Sequence, residues 1–299
     1  MSYKKAKRIH KLTSVAVSLL LIAIVCVAYF ATGGSFNFDK TEDFDTSQDF
    51  VRVLDVGQGD CILIYSNGYS ALIDTGTEES VNNVCAELDS CDIESIDVML
   101  ISHLHADHTG GIKGISEFFD VSNVVLPELS VSSEGLGSAQ YIINKLTKNG
   151  GGVFTAEQGM NFKIGEFELT VLASYGDMAD ENNRSIMVMA ENSGKKFLFT
   201  GDAEVKAENS LLKEGLNLKC DVFKAGHHGS STSNSEKLLK LIRPRYTVIS
   251  AGKDNMYGHP HNEVLSDFEN IGAEVLRTDR NGDITYYIDN GKITAKTEK

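Results

Sequence analysis

Residues 103–108 read His-Leu-His-Ala-Asp-His, and this string sets four metal-ligating side chains within six positions. It follows Ile-Asp-Val-Met-Leu-Ile-Ser at residues 96–102, a short, apolar, partly β-branched run that reads as a buried strand. A strand that delivers such a string into a turn towards a helix lets imidazoles and a carboxylate converge on adjacent cations instead of pointing along one strand. A His-rich surface loop has no reason to follow a buried strand with this spacing.

The other histidines cluster in the same way. His10 lies in the N-terminal segment, and the rest occur as His103/His105/His108, His227/His228 and His259/His261. The pair His227-His228 follows another strand-like run, Asp221-Val222-Phe223-Lys224. Between the clusters, residues 196–202 form a short apolar strand that ends in Gly201-Asp202, a carboxylate placed to bridge two cations.

These segments carry a family resemblance. The chain resembles a metallo-β-lactamase-fold hydrolase of the ComEC-type branch, which is named for the extracellular nuclease domain of a competence DNA-uptake protein. The resemblance rests on Asp55-Val56-Gly57-Gln58-Gly59-Asp60, Ile73-Asp74-Thr75-Gly76, Ser102 through Gly111, Asn182-Asn183-Arg184-Ser185, Thr200-Gly201-Asp202, His227-His228-Gly229-Ser230 and Tyr257-Gly258-His259-Pro260, in the family's order over roughly residues 50 to 290.

The resemblance implies an α/β fold, the αββα sandwich, with metals at the strand ends. It implies two divalent ions, zinc or manganese. His103 and His105 would hold the first, Asp107 and His108 the second, with Asp202 between them and His227 completing the second site; His228 is the alternative to His227. Metallo-β-lactamases proper supply a third histidine to the first metal, where this chain has Asn182-Asn183-Arg184-Ser185. That departure, shared by the ComEC-type branch, leaves a harder ligand set in which Mn²⁺ competes with Zn²⁺. Two such cations activate a water for attack and stabilise charge on the attacked and leaving oxygens. Asp74 would orient a ligand by hydrogen bonding. His259 is the candidate for donating to a phosphoryl oxygen or protonating the leaving group, with Asn183 and Ser185 as further substrate donors. Asp55 and Asp60 would support the metal edge, and His261 reads as a surface residue. Gly57-Gln58-Gly59 lacks nucleotide-binding spacing and reads as a tight turn between two strands.

The N-terminus bears on location. Lys4, Lys5, Lys7, Arg8 and Lys11 form a basic tail (residues 1–11) before an uncharged, mainly apolar run at residues 12–31. At about 1.5 Å per residue that run spans a hydrocarbon core of roughly 30 Å, so one transmembrane signal anchor with the basic flank inside is expected. A cleaved signal peptide, with Cys26-Val27-Ala28 near the cleavage point and a secreted product, is the alternative. Residues 32–49, polar and acidic, read as a flexible linker, and residues 50–299 as one hydrolase domain facing the outside. Within it, strands are expected near residues 51–56, 62–65, 71–73, 98–101, 169–172, 185–190, 197–200, 221–224 and 246–250. Helices are expected near 138–148, 203–213 and 235–241.

Of the five cysteines, Cys26 falls in the apolar run. Cys85 and Cys91 are close enough in sequence to pair outside the cell, but free thiols are the expectation, and none has zinc-ligand spacing. The formal net charge is −14, and the chain beyond the basic tail carries about −19. Such a surface repels a polyanion at long range and excludes broad DNA wrapping. A narrow groove admitting a single strand or strand end remains compatible, with Lys113, Lys224, Arg184 and Lys253 as candidate phosphate contacts.

The expected function is an extracellular, membrane-tethered, metal-dependent phosphodiesterase or nuclease acting on nucleic acid. A small-substrate or wall-polymer phosphodiesterase, like a phosphorylcholine esterase, is the alternative enzyme. A non-catalytic wall-binding module is the alternative outside enzymes. The chain lacks a multi-span channel, so any part in DNA uptake requires a separate membrane channel protein.

Overall fold

The computed structural model describes residues 45–176 and 178–299, and residues 45–299 form one unit. The basic tail, the expected anchor and most of the expected linker therefore lie outside the described residues. No helix among the described residues is long and apolar enough to cross a membrane. The expected linker extends too far, because the first strand already begins at Asp49, whose carboxylate accepts from Asn192 Nδ2 at 2.7 Å.

The chain lays down β1 (Asp49–Val53), β2 (Ile62–Ser66) and β3 (Tyr69–Ile73) as antiparallel neighbours. Helix α1 (Val81–Ser90) then crosses to β4 (Ser95–Leu100), parallel to β3. Two short helices, α2 (Ala106–Thr109) and α3 (Ile112–Phe118), lead to β5 (Asp120–Leu126), and α4 (Leu136–Asn149) leads to β6 (Gly152–Thr155), both strands again parallel.

The second sheet starts with the antiparallel strands β7 (Asn161–Ile164), β8 (Phe167–Ala173), β9 (Met187–Asn192) and β10 (Lys195–Phe199). It continues in parallel through α5 (Val205–Lys213), β11 (Val222–Lys224), α6 (Glu236–Ile242), β12 (Tyr246–Ile249), α7 (Asn262–Asn270) and β13 (Glu274–Arg277). After α8 (Thr278–Asn281), β14 (Ile284–Asp289) and β15 (Lys292–Thr297) return to the first sheet beside β1. The orders are β15-β14-β1-β2-β3-β4-β5-β6 and β13-β12-β11-β10-β9-β8-β7.

The period of two along each strand builds the layers. Val51, Val53, Ile62, Ile64, Ala71, Ile73, Val98 and Leu100 share one core with Phe167, Leu169, Val188, Phe197 and Val248 of the other sheet. The alternate residues of the second sheet, such as Met189, Leu198 and Phe223, pack instead under Ala207, Leu211, Leu238, Leu239 and Phe268 of α5, α6 and α7. On the first sheet, α4 turns Ala139, Ile142 and Leu146 inward at helical spacing against β5 and β6. It stops at Gly150, whose left-handed φ of 79° turns the chain so that the following Gly151 N–H reaches the Leu146 carbonyl at 2.9 Å. Each central strand is thus buried on both faces, which is why these strands read as continuous apolar runs. The αββα sandwich expected from the sequence is present. The described cysteines, Cys61, Cys85, Cys91 and Cys220, are free.

The expected tight turn after β1 is instead the longer loop 54–61. Leu54 N donates to the Cys61 carbonyl at 3.0 Å across its base, and Asp60 N donates to the Asp107 carbonyl at 3.3 Å. At Gly59 an added Cβ would run into that same Asp107 carbonyl oxygen. The loop is long because it reaches the His-rich turn.

Candidate metal centre

Parallel strands end at one edge, so the residues that follow them meet there. Asp74 follows β3, the 103–108 string follows β4, Asp202 follows β10, His227 and His228 follow β11, and His259 lies beyond β12. Three of these positions hold unusual backbone: Asp74, His227 and His228 have φ of 58°, 50° and 54°. Left-handed conformations at residues other than glycine cost free energy and persist where the surrounding structure holds them, commonly at functional sites. Gly111, between α2 and α3, has no room for a side chain, since a Cβ would meet the Thr75 carbonyl oxygen. That close pass lets Thr75 N and Oγ1 both donate to the His108 carbonyl at 2.8 Å.

The centre of the site is Asp202, which is 2% exposed. Its Oδ2 lies 3.4 Å from His108 Nε2, 3.4 Å from His228 Nε2, 3.8 Å from His227 Nε2 and 3.9 Å from His103 Nε2. Asp107 Oδ2 lies 3.2 Å from His228 Nε2 and 3.7 Å from His108 Nε2. Ligand atoms of Asp107, His108, Asp202 and His228 all fall within 4.8 Å of one another. Within this group His108 Nε2, His228 Nε2 and Asp202 Oδ1 are buried and make no hydrogen bond. Bare imidazole nitrogens and carboxylate oxygens gathered at this spacing fit a divalent cation in chemistry and in reach.

The other ring nitrogens are committed elsewhere. Asp74 accepts from Ser102 N and Ser102 Oγ, each at 2.7 Å, and from His108 Nδ1 at 2.8 Å. Because the Ser102 hydroxyl donates to Asp74, it accepts from His103 Nδ1 at 3.1 Å, which leaves His103 Nε2 as an acceptor. His228 Nδ1 donates to the Ser250 carbonyl at 3.1 Å. These bonds set the tautomers and aim each Nε2 at Asp202. Asp74 therefore orients His108. Asp60, Asp74 and His108 also cluster, but through the Nδ1 that Asp74 already holds.

His103 and His105 sit together, Nε2 to Nδ1 at 3.0 Å. Of the adjacent pair, the geometry assigns His228 to the group with Asp107 and His108. His227, the first choice from sequence, lies nearer the opening at 23% side-chain exposure, with Nδ1 3.2 Å from Thr232 Oγ1. The left-handed turn swings the second imidazole, not the first, into the buried layer.

Asn183 and Ser185, expected to touch substrate, are instead buried in the wall. Asn183 Oδ1 accepts from Ala207 N at 3.1 Å near the start of α5, and Ser185 Oγ accepts from Asp202 N at 3.1 Å. They hold the Asp202 turn. Lys224, proposed as a phosphate contact, is 1% exposed, with Nζ 2.9 Å from Asp60 Oδ2 and donating to the Ala225 carbonyl at 2.9 Å. Arg184 turns back to the Met178 carbonyl at 2.6 Å. Lys113 and Lys253 are exposed. His261 is half-buried, its Nδ1 accepting from Ser231 N at 3.0 Å.

The metal edge opens into a cavity of about 710 Å³. His105, Asp107, Asp202, His227, His228 and His259 reach it, together with Tyr257 and the carboxylates Glu78, Glu79 and Glu134. Sequence reasoning missed these three glutamates, Ser102 and the Lys224–Asp60 pair. Ser102 was legible only as the last residue before the His string.

The charges are strongly coupled. Burial opposes the charged form of His228 and His108, but Asp202, joined by Asp60 at His228 and by Asp74 and Asp107 at His108, holds both well above the usual imidazole range. Burial likewise opposes charge on Asp202, yet His228 and His108 hold it well below the carboxylate range. Asp107 behaves the same way and falls to about 2. Burial lowers His103 and His227. For the raised imidazoles the stabilisation is complete below the unfolded value near 6.5 and disappears as pH rises through the higher folded value. For the lowered carboxylates it is present above about 4 and disappears as pH falls through the lower folded value. The lowered imidazoles His103 and His227 act oppositely, withdrawing stability as pH falls below about 6.5, so the chelated protein is expected to melt highest near pH 6.5 and lower on either side. Metal binding requires neutral imidazoles, so the shift in melting temperature on adding Mn²⁺ or Zn²⁺ should grow from pH 6 to pH 8. Calorimetric melts with and without metal across that range check both signs.

The comparisons with known proteins agree with this geometry. The chain is 30% identical over 261 residues to ComE operon protein 3 of Bacillus subtilis (strain 168), covering 81% of this chain and 33% of that protein. It is 29% identical over 248 residues to Competence protein ComA of Neisseria gonorrhoeae, covering 82% and 33%. A more distant relative, Endoribonuclease YSH1 of Eremothecium gossypii (strain ATCC 10895), is 22% identical over 217 residues, covering 64% and 28%. The chain thus spans about a third of the length of these curated relatives. Among solved structures, the metallo-beta-lactamase fold protein YhfI from Bacillus subtilis superposes with a TM-score of 0.54 at 12% identity, covering 83% of this chain and 99% of that one. Residues 54–253 match the family described as Lactamase_B, so with this fold and this His/Asp edge the chain belongs to the metallo-beta-lactamase superfamily, whose members bind divalent metals, typically two.

Proposed function

We propose that this chain is a metal-dependent phosphodiesterase with nuclease-like activity on DNA, held outside the cell by its N-terminal segment. The observation that carries the reading is Asp202, whose Oδ2 is ringed by four imidazoles with Asp107 alongside, at the mouth of an open cavity. The names of the relatives, two from competence systems and one endoribonuclease, support it. In this reading His103 and His105 would hold one ion and Asp107, His108 and His228 the other, with Asp202 reaching both. Divalent ions held there would supply Lewis acidity, a water activated at neutral pH and stabilisation of charge on phosphoryl oxygens.

The remaining residues position and exclude. Asp74 and Ser250 fix the tautomers of His108 and His228, and the Ser185 hydroxyl fixes the Asp202 turn. His259 lines the cavity with a pKa lowered to about 4, through burial and then the neighbouring His227 and His228. At neutral pH it is an uncharged imidazole. It serves as a hydrogen-bond donor to a phosphoryl oxygen better than as a general acid. His259→Ala is expected to lower kcat about 100-fold, the loss typical of one such donor, with metal content unchanged. Rates measured beside elemental analysis check this.

The acidic lining favours a second reading, a small-substrate or wall-polymer phosphodiesterase, since no lysine or arginine among the described residues lines the cavity. The test is to load the purified protein with Mn²⁺ or Zn²⁺ and assay single- and double-stranded DNA beside bis-p-nitrophenyl phosphate, with Asp107→Ala/His108→Ala as control. DNA cleavage lost in the control supports the nuclease reading. Hydrolysis of the small diester alone moves the assignment to the second. A metal-free protein inactive throughout removes the enzyme reading and leaves a binding module. Anchoring is checked by membrane fractionation and protease accessibility of intact cells.

A further inference from the structure

Tyr257 lines the cavity and is 60% exposed, an unusual position for a large ring in an acidic surface. It does not stand alone. Its ring lies nearly parallel to His259, with centroids 5.7 Å apart and planes 23° apart. His259 in turn lies nearly parallel to His228, at 6.3 Å and 26°. His228 Nε2 is 3.2 Å from Asp107. The rings thus form a stepped series that leads from the metal centre to the surface and ends in an exposed aromatic face.

The rest of the lining says what that face is for. Glu78, Glu79 and Glu134 are exposed carboxylates, and among the lining residues no lysine or arginine balances them. Proteins that track a polynucleotide do so with a positively charged groove. Here a run of phosphates beyond the one at the metals meets carboxylates and neutral polar groups but no lysine or arginine among the described lining residues. Binding energy beyond the reacting phosphate must come from an uncharged group, and an aromatic face stacks every base.

We propose that Tyr257 determines specificity by stacking the base next to the reacting phosphodiester, while the acidic lining limits the substrate to a single end nucleotide. The inference deepens the phosphodiesterase reading and rests on it for the substrate class, but its test reads binding and not turnover. The chain contains no tryptophan, so the fluorescence of 1,N⁶-ethenoadenosine 5′-monophosphate is a clean probe. Full-length Mn²⁺-loaded protein is titrated with that nucleotide and, in competition, with inorganic phosphate and a decamer of single-stranded DNA.

The nucleotide is expected to bind about tenfold more tightly than phosphate, the scale of one stacked base. Tyr257→Ala should erase that difference with metal content unchanged, Tyr257→Phe should keep it, and the decamer should bind no more tightly than the mononucleotide. Glu78→Gln/Glu79→Gln/Glu134→Gln should strengthen binding of the decamer and leave the mononucleotide within twofold. An unchanged preference in Tyr257→Ala, or a decamer bound much more tightly by wild type, would overturn the proposal. Base-dependent binding without hydrolysis of any diester would sink the phosphodiesterase reading and leave the base site standing. Hydrolysis without base-dependent binding would do the reverse.

Discussion

His228→Ala is expected to release one equivalent of bound metal and to lower diester hydrolysis about a thousandfold, whereas His227→Ala keeps that equivalent. The contrast is sharp because the residues are adjacent in sequence and alike in chemistry. His228 Nε2 is buried, makes no hydrogen bond and sits 3.2 Å from Asp107 and 3.4 Å from Asp202. Its removal takes a ligand from the group of Asp107, His108 and Asp202. Losing Lewis-acid stabilisation worth about 4 kcal/mol corresponds to about a thousandfold in rate. His227 lies 3.8 Å from Asp202 on the partly exposed side, with its other ring nitrogen turned to Thr232 and Glu204. Elemental analysis of dialysed protein, with rates on the same samples, measures both effects. Loss of metal from His227→Ala and its retention in His228→Ala would reverse the assignment.

Lys224→Met is expected to destabilise the chelated protein by about 3–5 kcal/mol, the usual result of removing one partner of a buried ion pair. The Lys224 ammonium is 1% exposed and 2.9 Å from Asp60 Oδ2, beneath the metal edge. Burial alone would raise the Asp60 pKa, but Lys224 first and His228 next hold it below the carboxylate range. Without Lys224 the buried carboxylate is left with the imidazoles His228, at 3.5 Å, and His108, and the other acids of the site repel it. For a domain of this size the melting temperature should fall by roughly 10 °C. Lys224→Met/Asp60→Leu should recover part of that loss, since an apolar pair of similar volume avoids the stranded charge. Full loss persisting in the double variant would show that the pair is not the cause.

The alternation of buried strands was legible because β2, β4, β9, β10, β11 and β12 lie under two layers and carry apolar runs over their covered stretches. Strands with weaker signatures were missed. β6 and β7 are largely exposed, and β14 and β15 pair beside β1 from the far end of the chain. Helix α7 has only Val264 and Phe268 buried, too thin a stripe to stand out.

At the site, residue types and spacing were enough to nominate His103, His105, Asp107, His108 and Asp202, because few other uses exist for such a string after an apolar strand. The αββα architecture came with the family resemblance; the order of apolar runs by itself showed only that buried strands alternate with helices. The choice between His227 and His228 was a matter of backbone: two consecutive left-handed residues decide which ring turns inward. Likewise Lys224 reads as a surface cation until the loop 54–61 brings Asp60 onto it, and Ser185 as a substrate donor until the Asp202 N–H claims its hydroxyl. Spacing along the chain specifies which ligands are available and where strands end. The partner across a buried contact comes from a distant segment, so only the folded packing assigns each polar atom to metal, substrate or scaffold.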